Sequence, residues 1–172
     1  MKKLSYLFVL LMTSTFFISC QQTQELKEPD TVGKYAFDLL KKIPDISKQA
    51  YMGRLLTIEQ LRDFAKNDSE INEKTKNRMT KVSKEDFNAG MERNYNKIKK
   101  KAIEYGIVWN AIEYMDYTYK TEERNGIKGI TGDMYFKYKN ETYTIEVNAM
   151  NLTNEFAIVE IESLRKVEKR DY

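Results

Sequence analysis

The spacing of apolar residues changes partway along this chain. Val32, Tyr35, Ala36, Leu39, Leu40 and Ile43 recur at three- and four-residue steps, which makes one face of an α-helix. Asp30 stands where an N-cap belongs, and Pro44 stops the helix, because proline disfavours α geometry in the residue before it. Asp45 is expected to cap a short second helix through Met52, closed by Gly53. Thr57 and Gln60 have capping-box spacing, and Ile58, Leu61 and Ala65 supply an apolar face behind them. Residues 67–81 are polar and weakly patterned, and read as a loop with room for one helical turn. The clearest stripe follows: Phe87, Met91, Tyr95, Ile98, Ala102 and Tyr105, behind a capping signal at Ser83 and Asp86. It predicts a helix over about 83–105, which Gly106 ends in left-handed geometry. Gly90 inside it costs only about 1 kcal/mol against alanine.

After Gly106 the period falls to two. The run IVWNAIEYMDYTYK is β-branched and aromatic, and long enough to bend or bulge. Asn125-Gly126 is a hairpin dipeptide, leading to a second strand near Ile130 to Tyr138. Asn140-Glu141 turns into a third strand, Tyr143 to Ala149, and residues 151–154 turn into a fourth, Phe156 to Leu164. Tyr143, Ile145, Val147 and Ala149 alternate on one side of their strand, as do Ala157, Val159 and Ile161 on theirs. Those sides are expected to pack on the helix stripe. Helices first and an antiparallel meander over about 107–164 predict an α+β fold, one domain spanning 31–172. A long helix feeding a curved four-stranded sheet loosely resembles the cystatin-like and nuclear-transport-factor-like cone folds, a likeness of architecture.

The first residues obey a different logic. Lys2 and Lys3 precede the apolar run LSYLFVLLMTSTFFIS, which is too short to span a ~30 Å hydrocarbon core comfortably. A charged start, an apolar middle and a small residue before the cut are the layout of a secretory signal, here 1–19. Ser19 followed by Cys20, in FISC, resembles the lipobox of bacterial lipoproteins, although Phe17 stands where leucine is commonest. The resemblance implies lipidation at Cys20 and attachment to a membrane facing the periplasm. Gln21, in place of the aspartate that retains such proteins at the inner membrane, resembles members directed to the outer membrane. Two or three acyl chains hold a protein on a bilayer where one does not. The following QQTQELKEPD is nearly without apolar residues, so residues 20–30 read as a flexible tether.

Composition narrows the chemistry. The formal charge of +3 includes Lys2 and Lys3; without residues 1–19, 27 basic residues face 26 acidic ones. No nucleic-acid partner is expected from that balance. Histidine is absent and Cys20 is the only cysteine, so Ser-His-Asp and Cys-His devices are excluded, and neither a metal nor a cofactor is expected. Gly126, Gly129 and Gly132 match no phosphate-binding loop and read as a turn and a strand entrance.

Three groups remain as candidates. Glu113, Asp116, Asp133, Glu146, Glu160 and Glu162 fall on predicted strands, with Glu146, Glu160 and Glu162 opposite the core side. Such carboxylates either do acid–base work or line a solvated face. Arg93, Lys97, Lys99, Lys100 and Lys101 form a basic run that can meet anionic headgroups or lie as the wet face of a helix. Trp109, Tyr114, Tyr117, Tyr119, Tyr135 and Tyr138 form an aromatic set. Alternation places Tyr114 opposite Tyr117 and Tyr119, so one tyrosine face is core and the other a candidate binding surface. Together these features lead to a lipid-anchored envelope protein acting as a non-catalytic binding or accessory module for an unknown protein or small ligand. The alternatives are an immunity or inhibitor lipoprotein against an exported enzyme, a carboxylate-dependent envelope enzyme, or a purely structural envelope protein.

Overall fold

A computed structural model describes residues 26–153 and 155–168. The predicted signal peptide, Cys20 and residues 21–25 of the expected tether lie outside them. The remainder of that tether is not free. Leu26 is buried, and its carbonyl accepts a hydrogen bond from the Phe156 amide at 2.6 Å. Helix α1 (Pro29–Lys41) follows at once, with extended Glu28 at the N-cap rather than Asp30. Proline suits this first position because the missing N–H would have no helical partner there.

Local capping chemistry explains most of the helical half. Helix α2 (Lys48–Met52) starts from Ser47, whose hydroxyl accepts from the Ala50 amide; Asp45 lies in the preceding turn instead. Helix α3 (Ile58–Asn67) has both halves of the capping box, Gln60 N to Thr57 Oγ1 at 3.2 Å and Thr57 N to Gln60 Oε1 at 2.9 Å. The stretch expected as a loop contains helix α4 (Glu73–Lys81), capped by Asn72. Only Thr75 and Met79 are buried on it, four residues apart, so its apolar stripe is too thin to register as a period. Helix α5 (Lys84–Glu104) buries Met91, Tyr95, Ile98 and Ala102. It closes as predicted: Gly106 takes φ +63°, Gly106 N reaches Ile103 O, and Ile107 N reaches Ala102 O.

A 3-10 turn at Trp109–Ala111 leads into β1 (Glu113–Arg124), β2 (Ile127–Tyr138), β3 (Glu141–Asn151) and β4 (Phe156–Lys166). They form one antiparallel sheet in the order β1-β2-β3-β4, the meander expected of this α+β chain. Asn125 and Gly126 both adopt positive φ, the geometry of a two-residue hairpin turn. The next turn is centred on Lys139 and Asn140, one residue earlier than the sequence pattern implies, with Lys139 at φ 56°.

One face of the sheet is covered by α1 and α5 and holds the main core, including Met134, Phe136, Ile145 and Val147. Tyr117 is wedged into it. A Cβ on Gly33 of α1 would fall 2.2 Å from the Tyr117 ring, and one on Gly132 of β2 would fall 2.6 Å from it. Two missing side chains thus open a slot for one aromatic ring, whose hydroxyl donates to Val147 O at 3.3 Å. A second cluster joins Leu56, Phe64, Ala65, Ile71 and Met79 to Met150, which stands on the opposite face. Helices α3 and α4 therefore close one end of that face and leave the rest to solvent.

Bulges decide which strand residues reach the core. On β4, Asn148 pairs with Glu160 but Ala149 with Ile158, so Val159 is extra. Further along, Thr144 pairs with Arg165 and Glu146 with Glu162, and Ser163 absorbs the misfit at φ 57°. The buried residues are therefore Ile158, Ile161 and Leu164, not the expected alternation of Ala157, Val159 and Ile161. Each inserted residue turns the side chains beyond it to the other face.

Candidate functional site

The open face can be read directly from the ladder register, since paired residues share a side. Asp116, Tyr135, Thr144 and Arg165 form one row across the four strands. Thr118, Asp133, Glu146 and Glu162 form the next, and Lys120, Thr131, Asn148 and Glu160 a third. A shallow depression of about 350 Å³ lies here, lined by Thr118, Lys120, Thr131, Asp133 and Glu146 among others.

Carboxylates dominate the middle of this face. Arg165 reaches back across β3 to donate to Asp133 at 2.8 Å. Asn94, from α5, donates to Glu160, and Asn148 Nδ2 donates to Glu146 at 3.2 Å. Glu162 has its carboxyl held above the usual range, first by partial burial and then by the nearby charges of Glu160 and Glu146. Lys97 of α5 opposes that shift. Besides Asn151 Oδ1 at the end of β3, two oxygens on that strand are enclosed yet receive no hydrogen bond among the described residues: Thr144 Oγ1 and Asn148 Oδ1. They flank Glu146 on the same side of the strand. Among the described residues no group of three acidic side chains has metal-binding geometry.

The aromatic set is split up by the fold. Trp109, Tyr117 and Tyr138 are buried in the main core. The bulge at Met115 pairs Tyr114 with Phe136 and Asp116 with Tyr135, which turns Tyr114 to the same side as Tyr117 and Tyr119. Tyr114 meets Phe37 of α1 edge-on at 5.3 Å, and Tyr119 stacks on Tyr117 at 5.4 Å. The expected second tyrosine face therefore does not form, and Tyr135 alone of the six stands on the open side. The outer edge of Trp109 lines a groove of about 580 Å³ with Ile43, Ile46, Tyr95 and Ile107. Cys20 lies outside the described residues.

Compared with family models, curated proteins and solved structures, the chain matches none. The likeness to cone folds thus stands on element order alone. No described helix is long and apolar enough to cross a membrane.

The residues that sequence reasoning overlooked are Thr144, Asn148 and Arg165 on the sheet, with Asn94 from α5, whereas Lys97 belongs to the basic run already named. A signal was present in part. Thr144, Glu146 and Asn148 alternate with the apolar Tyr143, Ile145, Val147 and Ala149, so their common side was legible. Which groups on β4 and α5 meet them depends on the bulges and on helix docking, and no local pattern carries that.

Proposed function

We propose that this protein is a lipid-anchored cell-envelope module that binds a partner through the open sheet face and has no catalysis of its own. The observation that carries the binding half is the β3 row Thr144, Glu146 and Asn148, where two enclosed oxygens lack partners beside a carboxylate. Unsatisfied groups of this kind each cost the fold about 1–3 kcal/mol, a cost that a bound partner donating to them relieves. The anchor rests on the leader and FISC, with Cys20 carrying the acyl chains and the outer membrane favoured by Gln21. Because Leu26 is docked, only residues 21–25 separate Cys20 from the folded body. That is about 20 Å at full extension, so the module works close to its membrane. An immunity or inhibitor role against an exported enzyme is the specific form that such an anchored module takes most simply.

Glu162 favours a second reading. A carboxyl held above the usual range by partial burial and by neighbouring carboxylates is a feature that acid–base chemistry uses. The shallow, open setting argues against it, since carboxylate enzymes enclose their substrates.

Two experiments test the proposal. Metabolic labelling with a palmitate analogue is expected to mark the parent chain and not Cys20→Ser; equal labelling of both overturns the anchor. The immobilised full chain is expected to retain an envelope component that a Glu146→Gln, Glu162→Gln double variant loses. Turnover of an envelope glycan with nothing retained would establish the enzyme reading instead.

A further inference from the structure

The rows of the open face carry more carboxylates than cations, Asp116, Asp133, Glu146, Glu160 and Glu162 against Lys120 and Arg165. Glu146 and Glu162 pair directly across β3 and β4, with Glu160 beside them. Three donors are committed, Arg165 to Asp133, Asn94 to Glu160 and the Asn148 amide to Glu146, while Lys120 and Thr131 stand in the outer row. Lys97 of α5 is a cation whose charge acts on Glu162. Thr144 adds an independent observation. It is only 4% exposed, its side chain stands on this face next to Glu146, and its hydroxyl has no partner among the described residues. The Asn148 oxygen on the other side of Glu146 is in the same condition. A ligand completing this row brings positive charge for the carboxylates and N–H groups for the flanking oxygens.

Resting on the binding-module reading, we propose that the row Thr144–Glu146–Asn148, with Glu162, receives an arginine side chain presented by a protein partner. A guanidinium offers five donors in one plane and can bridge a carboxylate bidentately while its outer N–H groups reach flanking oxygens. The face already holds one arginine–carboxylate bond, since Arg165 crosses β3 to donate to Asp133. A macromolecular source follows from the shape. The row lies on a broad sheet surface beside a shallow depression that, of the four residues, only Glu146 lines, a setting that suits an arginine delivered on a larger surface.

The test is fluorescence anisotropy of labelled peptides on the full chain in detergent, comparing an Arg-Gly repeat with the same repeat in lysine. The arginine peptide is expected to bind at least about fivefold more tightly, because lysine lacks the planar fork. Glu146→Gln with Glu162→Gln is expected to weaken it about tenfold. Thr144→Val keeps the shape of the side chain, so it should weaken binding about threefold without lowering the melting temperature. Equal affinity for both peptides, equal affinity of parent and double variant, or free arginine competing as well as the peptide would each overturn the assignment. Failure of the broader reading looks different. If the double variant still loses an envelope component that no arginine peptide displaces, the face binds but not through arginine. If the double variant retains that component, the binding face itself is wrong.

Discussion

The two faces of β3 share one backbone and differ in every other respect. Tyr143, Ile145, Val147 and Ala149 point into the main core beneath α1 and α5. Thr144, Glu146 and Asn148 point the other way, into a field of carboxylates with two oxygens left unsatisfied. The covered face is built for stability, because burial and close packing reward every apolar atom there. The open face retains groups that weaken the fold, and such groups mark surfaces whose chemistry is completed by something else.

The contrast can be broken from either side. Ile145→Ala, at a fully buried position, is expected to cost about 2–5 kcal/mol in urea denaturation, through lost transfer energy and the cavity left behind. Val147→Thr keeps the volume but puts a hydroxyl into the same core, and should cost about 1–3 kcal/mol. Thr144→Val makes the mirror-image change on the other side. It should raise stability by up to about 1 kcal/mol, because it removes a buried hydroxyl that has no partner. Loss of stability in Thr144→Val would place a hidden partner on that hydroxyl.

Glu162→Gln gives the smallest effect and a distinctive pH dependence. The native carboxyl is held above its unfolded value, so ionising it weakens the fold. That penalty is absent in acid below the ordinary carboxylate range, enters as pH rises towards the elevated native value, and stays constant above it. The glutamine variant should therefore match the parent in acid and exceed it at neutral pH. The gain is only a few tenths of a kcal/mol, since solvent screens a group this exposed. A gain that is equal at both pH values would show that charge is not its cause.

Much of the helical half was legible because its signals are local. The Thr57–Gln60 box, the Ser83 cap and the Gly106 terminus each act through residues three or four positions away. Helix α4 escaped because Thr75 and Met79 are too few to make a stripe, and its stability comes from packing near Met150. Leu26 escaped because a lone leucine in a polar stretch becomes structural only when Phe156 arrives beside it. The aromatic set is divided between the two sides for a related reason. Strict alternation sends Tyr114 to the far side, and one inserted residue at Met115 reverses it.

The sequence by itself determined that helices precede the sheet, the caps at Thr57 and Ser83, the Gly106 terminus, the Asn125-Gly126 hairpin and the side of β3 that carries Glu146. These follow from dihedral preference, capping and period, all set within a few residues. Tertiary structure alone decided that Tyr117 sits between Gly33 and Gly132, that β4 buries Ile158, Ile161 and Leu164, and that Glu146 meets Glu162. Register and bulges are settled by how whole strands fit against helices. A shift of one residue there moves every side chain beyond it across the sheet.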